Sequence, residues 1–147
     1  MAPDEKDPLD RESALERLGH ALPLQLRSTS AYTIAAGSLT GFQYVGLGEL
    51  LWRFAQAELD DVRRLVEKVT TLDGRPPGSV PSFELPTDPA SAIERLIEYE
   101  REAIESLQDV IPSTGHTGDS EALEHRLEHT IMRKQEQVDA LERARKG

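Results

Sequence analysis

Four polar residues interrupt apolar helical stripes in this chain: Gln25, Glu58, Glu100 and Lys134. Glu58 lies between Ala55 and Val62, Glu100 between Ile97 and Ile104, and Gln25 between Leu22 and Thr29. On a wheel of about 100° per residue, Ile131, Lys134, Val138 and Leu141 fall within roughly one 80° sector, so Lys134 is aimed with its apolar neighbours. Inward carboxylates have two uses. They can hold a metal ion through oxygen, or pair with a buried cation, because desolvating an isolated charge costs several kcal/mol. An ammonium has three donors and no lone pair, so Lys134 can neutralise carboxylates but cannot ligate a metal. The spacing therefore predicts a polar layer across an apolar core, in which buried charges pair with one another or hold a metal ion. The alternative is that each charge sits at the edge of its stripe and snorkels to solvent.

Four helices are needed to carry these residues. Asp7-Pro8 reads as an N-cap with proline at the first helical position, and Leu15, Leu18, Leu22, Leu26, Thr29, Tyr32 and Ala36 carry a helical period to about residue 39. Pro23 is expected to kink this helix or split it. Leu47, Leu51, Ala55, Val62, Leu65, Val69 and Leu72 form a second stripe that stops at Gly74. Asp88-Pro89 repeats the cap-and-proline start, with Ile93, Leu96, Ile97, Ile104, Leu107 and Ile111 behind it and Pro112 after its end. Asp119 or Ser120 is expected to cap a fourth helix bearing Leu123, Leu127, Ile131, Val138 and Leu141. No strand is indicated. The segment GRPPGSVPSFELPTD is too proline-rich for a helix. About 15 residues at up to roughly 3.3 Å each reach about 50 Å, the length of a long helix, so the second and third helices can run parallel as neighbours. The expectation is all-α: a four-helix bundle over residues 8–147 with one long crossover, and a disordered or extended N-terminus over 1–7.

At 147 residues the chain fits one domain. It has no cysteine, which excludes disulfides, thiolate metal sites and cysteine catalysis and suits a reducing, cytoplasmic setting. Its formal charge of −10 opposes phosphate backbones and anionic lipid, so neither nucleic acid nor membrane is an expected partner. No apolar run approaches the roughly 18 residues a membrane span needs. The serines have no histidine in a convincing triad order, and the glycines between residues 37 and 48 follow no strand, so hydrolase and phosphate-loop chemistry lack support. Glu121, His125 and His129 recur every four residues and could bind metal, but they point away from the stripe and read as an exposed or subunit-interface face. His20 and His116 are isolated. Phe42, Tyr44, Trp52 and Phe54 are expected to pack the bundle end or a dimer face. With Met132 also turned outward, a homo-oligomer of at least two copies is expected.

Several stretches resemble the bacterioferritins of the ferritin-like superfamily. ALPLQLRSTSAYTIAAGSL is similar to the first bundle helix, where a metal-binding Glu stands seven residues before a Tyr; Gln25 and Tyr32 keep that spacing. AELDDVRRLVEKVTTLDGRP resembles the second helix and its Gly-x-Pro ending, which puts Glu58 at the bridging carboxylate and Asp61 at its Glu-x-x-His partner. EYEREAIESLQDVI resembles the third, with Glu100 at a metal-binding Glu. KQEQVDALE resembles the fourth, where Lys134 and Gln137 replace a second Glu-x-x-His motif.

The resemblance implies a ferritin-like four-helix bundle with a degenerate di-iron centre. Such a centre uses four carboxylates and two histidines, of which only the carboxylates of Glu58 and Glu100 are kept. Lys134 would take over the metal's electrostatic role, with Gln25, Gln137 and Tyr32 completing the hydrogen bonds. The rival is that Glu58, Asp61 and Glu100 hold a single oxygen-ligated ion. Haem is not expected, since Leu59 stands where the family places its methionine ligand. The functional expectation is a structural or binding protein without classical ferroxidase activity and with no cofactor. The alternatives are an iron-storage ferroxidase with atypical ligands and a small-molecule pocket in the core.

Overall fold

The structure is a computed structural model describing residues 9–115 and 118–146. The expected extended tail over residues 1–7 and His116 lie outside the described residues. All four expected helices form: α1 (Arg11–Ser38), α2 (Val45–Thr71), α3 (Pro89–Gln108) and α4 (Gly118–Lys146). Among the described residues there is no strand, and no helix is long and apolar enough to cross a membrane.

The helix ends correct several expectations. Asp10 caps α1, accepting from the Ser13 N–H at 3.2 Å, while the Asp7-Pro8 pair expected to start the helix lies outside the described residues. Its own N–H donates to the Ser113 carbonyl at 2.9 Å, which ties the start of α1 to the turn after α3. α1 runs through Pro23 without a break. The proline ring displaces the carbonyl four residues back, and that residue is Gly19, while the buried Leu18 and Leu22 hold the helix on both sides. Asp88 caps α3 as expected, accepting from the Ser91 N–H at 3.0 Å and its hydroxyl at 2.8 Å, with Pro89 in the first turn. α3 stops at Gln108, so Ile111 and Pro112 belong to a separate 3-10 turn, Ile111–Ser113. Asp119 and Ser120 lie inside α4 rather than capping it.

At the end of α2, Asp73 adopts the left-handed conformation (φ 62°). Gly74 N–H reaches back to the Val69 carbonyl at 2.9 Å and Asp73 N–H to that of Thr70 at 3.0 Å, a Schellman arrangement. Gly74 is needed for closeness rather than for φ. A Cβ there would stand 2.4 Å from Leu15 Cδ2.

Contacts between helices give the topology. Gly74 against Leu15 and Gly48 against the Ala36 carbonyl make α1 and α2 antiparallel. Gln25 meets Ala103 while Arg17 meets Asp109, so α1 and α3 are antiparallel. Lys134 pairs with Glu100 and Arg145 with Glu94, so α3 and α4 are antiparallel. α2 and α3 therefore run parallel, as the long crossover requires. They are not neighbours, however. α1 packs on α2 and α3, α4 packs on α3 and more sparsely on α2, and α2 faces α3 across the diagonal. The crossover is fastened to α3 on the way, by Phe83 edge-on to Tyr99 at 5.8 Å and by Arg95 Nη1 donating to the Glu84 carbonyl at 3.3 Å.

The core divides into two apolar halves. One gathers Ala31, Ala35, Leu51, Ile93, Leu96, Ile97 and Leu141 around the α1–α2 turn. The other gathers Leu18, Leu22, Leu65, Val69, Leu107, Leu123 and Leu127 at the opposite end. Between them lies a polar layer.

Candidate site at the bundle centre

Glu58, Glu100, Lys134 and Gln137 come together here from α2, α3 and α4, and Glu58, Glu100 and Lys134 are each 0% exposed. Lys134 Nζ donates to Glu58 Oε1 at 2.6 Å, Glu58 Oε2 at 2.5 Å and Glu100 Oε1 at 2.9 Å. Gln137, one turn along α4, donates through Nε2 to Glu58 Oε1 at 2.9 Å and Glu100 Oε2 at 2.8 Å, and lies 3.5 Å from the Tyr32 hydroxyl. Tyr32 reaches in from α1 and donates to Glu100. Its ring is braced edge-on by Phe54 at 5.6 Å. Lys134 does not snorkel; its ammonium is enclosed by carboxylates.

Two expected members behave differently. Gln25 is buried but does not join this network: its Nε2 donates to the Ala103 carbonyl at 3.1 Å, the Ala21 carbonyl at 3.2 Å and the Ser106 hydroxyl at 3.3 Å. Its amide is thus spent on α1 and α3 acceptors, and Gln25 Oε1 is left buried without a partner. Asp61 is buried and near, but it belongs to Arg133, which donates through Nε to Asp61 Oδ2 at 2.7 Å and also bonds Gln137 Oε1. Arg133 was not anticipated from the sequence. The signal was present in that an inward Asp61 needs a cation of its own, and Arg133 stands one turn before Gln137 on the helix facing it.

Burial, then the neighbouring Glu100 charge, pushes the Glu58 carboxyl up to about 8 against the pull of Lys134. Burial acts on Glu100 in the same direction, but Lys134 and the hydrogen bonds from Tyr32 and Lys134 outweigh it and hold Glu100 below the usual carboxylate range. Lys134 is held above the ordinary lysine value because Glu100 and Glu58 overcome the effect of its burial. Tyr32 is pushed well above its ordinary value, first by burial and then by the two carboxylates. Two carboxylates sharing one ammonium titrate as a pair, and Glu58 is the member that holds its proton longer as pH rises.

The donor set does not fit a dinuclear metal centre. The space between Glu58 and Glu100 is taken by an ammonium, Asp61 is occupied by a guanidinium, and Gln25 faces away. A single ion on Glu58, Asp61 and Glu100 would have to displace both Lys134 and Arg133. Among the described residues no three His, Asp or Glu side chains are grouped so as to hold a metal ion, at this centre or around His125 and His129. The aromatic group splits: Phe54 packs inward on Tyr32, whereas Phe42 and Trp52 are exposed.

A family model described as a ferritin-like domain matches residues 15–144. The chain belongs to the ferritin-like domain family. No curated protein sequence matches it, but solved structures share its fold. A ferritin-like, diiron-carboxylate protein from Bacillus anthracis superposes with a TM-score of 0.84 at 20% identity, covering 91% of this chain and 96% of that one. The bacterioferritin of Rhodobacter capsulatus gives 0.79 at 16% identity over 89% of this chain and 82% of its own. A bacterioferritin-related dodecameric thioferritin from Bacteroides fragilis gives 0.82 at 17%, covering 92% and 86%. Within this ferritin-like bundle, the Lys134 cluster sits at the middle of the core, where the four helices come closest to sharing one polar layer.

Proposed function

We propose that this ferritin-like protein keeps the bundle without the di-iron chemistry and acts as a structural or binding protein, with no classical ferroxidase activity and no metal or haem at its centre. One observation carries this: Lys134 Nζ lies within hydrogen-bonding distance of both Glu58 oxygens and of Glu100. An ammonium there supplies the positive charge that metal ions would supply, and leaves no open coordination position for oxygen.

A homo-oligomer is part of this proposal. Val45, Trp52 and Leu59 repeat every seven residues along α2 and are 70%, 45% and 57% exposed, a stripe that a second copy would cover. Leu59 gives haem iron no ligand there.

Aerobic addition of Fe²⁺ to protein purified without added metal tests the central claim, together with metal analysis of the same sample. Oxidation no faster than the buffer blank is expected. Saturable oxidation at about two irons per chain, the stoichiometry of a dinuclear site, would overturn it.

A further inference from the structure

Outside the bundle centre, α2 and α4 form the two walls of an open groove of about 550 Å³. Arg126, His129 and Arg133 line it from α4, at a spacing that puts them on one helix face with His125, and Asp60, Asp61 and Arg64 line it from α2. The acids in it are already engaged. Asp60 accepts from Arg64 Nε at 3.1 Å and Arg63 Nη2 at 3.3 Å, and Asp61 is held by Arg133.

The cations are not used up. Among the described residues, Arg126 makes no ion pair or side-chain hydrogen bond, and Arg64 leaves its two terminal nitrogens without a partner. Arg133 is already engaged, through Nε and Nη2 with Asp61 and through Nη1 with Gln137. A chain with a formal charge of −10 thus gathers three guanidiniums in one groove, and two of them, Arg64 and Arg126, have donors to spare. Guanidinium forks match planar or tetrahedral oxyanions, and charge-assisted bonds to them are the strong kind.

We infer that the α2–α4 groove is a binding site for a small oxyanion, a phosphoryl- or carboxylate-bearing molecule held by Arg64 and Arg126, with the charge of Arg133 beside them.

Titration of ¹⁵N-labelled protein with inorganic phosphate, and separately with acetate, at pH 7 and constant ionic strength tests it. Saturable shifts confined to the helix segments around residues 57–64 and 122–133 are expected for at least one of the two anions, and which one saturates identifies the chemistry. Arg126→Gln, which breaks no contact of the fold, should weaken binding roughly tenfold, the scale of one charge-assisted hydrogen bond. Arg64→Gln should do the same, and Arg126→Lys should lose less. Shifts that fail to saturate with either anion, an affinity in both Gln variants equal to that of the unaltered protein, or saturable Zn²⁺ binding at His125 and His129 without anion binding would overturn the assignment.

Discussion

Lys134 Nζ stands 2.6 Å and 2.5 Å from the two carboxylate oxygens of Glu58, with all the atoms buried between α2 and α4. α4 packs on α2 more sparsely than on α3, so this pair and the Arg133–Asp61 pair beside it are the main polar ties across that seam. Whatever fills the centre of the bundle also holds two of its helices together.

Replacing Lys134 with methionine keeps the bulk of the stem and leaves Glu58 and Glu100 without their counter-charge. A loss of about 3 to 5 kcal/mol is expected, the usual cost of breaking a buried pair, and it should shrink at low pH as the carboxylates protonate. Glu100→Gln in the same chain should recover part of it. Chemical denaturation of the four proteins gives the coupling; small additive effects, within about 0.5 kcal/mol, would contradict a buried ion cluster.

The Glu58 carboxyl, raised to about 8, makes stability depend on pH in a definite direction. The folded protein retains a proton that the unfolded chain releases near its ordinary value of 4.5, so this contribution is complete below that value and is lost as pH rises through about 8. Lys134, held above its ordinary value, stays charged throughout that window. Glu100 acts the other way only in acid, where its depressed value makes stability fall as pH drops below the ordinary carboxylate range. Denaturation midpoints measured from pH 5 to 8 should therefore decline, by at most about 1.4 kcal/mol per pH unit for one proton, and Glu58→Gln should flatten the decline. A wild-type profile that rises over this range would refute the assignment of the proton.

The α2 terminus separates two roles usually given to one glycine. Gly74→Ala forces a methyl against Leu15 Cδ2 and should cost about 1 to 3 kcal/mol, as overpacking does. Asp73→Gly relieves the left-handed backbone and should be neutral or stabilise by up to about 1 kcal/mol. Thermal melts of the two variants should move in opposite directions; equal shifts would mean that the terminus frays.

Light scattering should give at least a dimer at micromolar concentration. Placing glutamate at both Trp52 and Leu59 should shift the mass toward the monomer by putting charge on the exposed α2 stripe. A wild-type monomer mass at every concentration would remove the homo-oligomer from the functional proposal.

Much of this arrangement was legible in the residues themselves. Helical periodicity places Glu58, Glu100 and Lys134 on inward faces, and desolvation then requires each buried charge to find a counter-charge or a metal ion; which of these it finds is a matter of tertiary distances. Asp88-Pro89 marks a helix start for equally local reasons, since the cap and the fixed proline φ act within one turn. Proline density between residues 75 and 86 shows a crossover in the same way.

What the sequence could not decide is where flexible side chains and whole helices go once several partners are in reach. Gln25 shares the stripe of the cluster, yet its amide donates to the α3 carbonyl of Ala103 and the Ser106 hydroxyl, and its oxygen has no partner. Arg133 lies one position off the inward stripe, but its long stem lets it reach Asp61 on another helix. The diagonal placement of α2 and α3 is likewise tertiary: a long connection limits how far apart two helices can be and leaves their adjacency to the packing of all four faces. Periodicity selects the face of a helix on which a residue stands, while its partner is chosen by distances that exist only after the helices have packed.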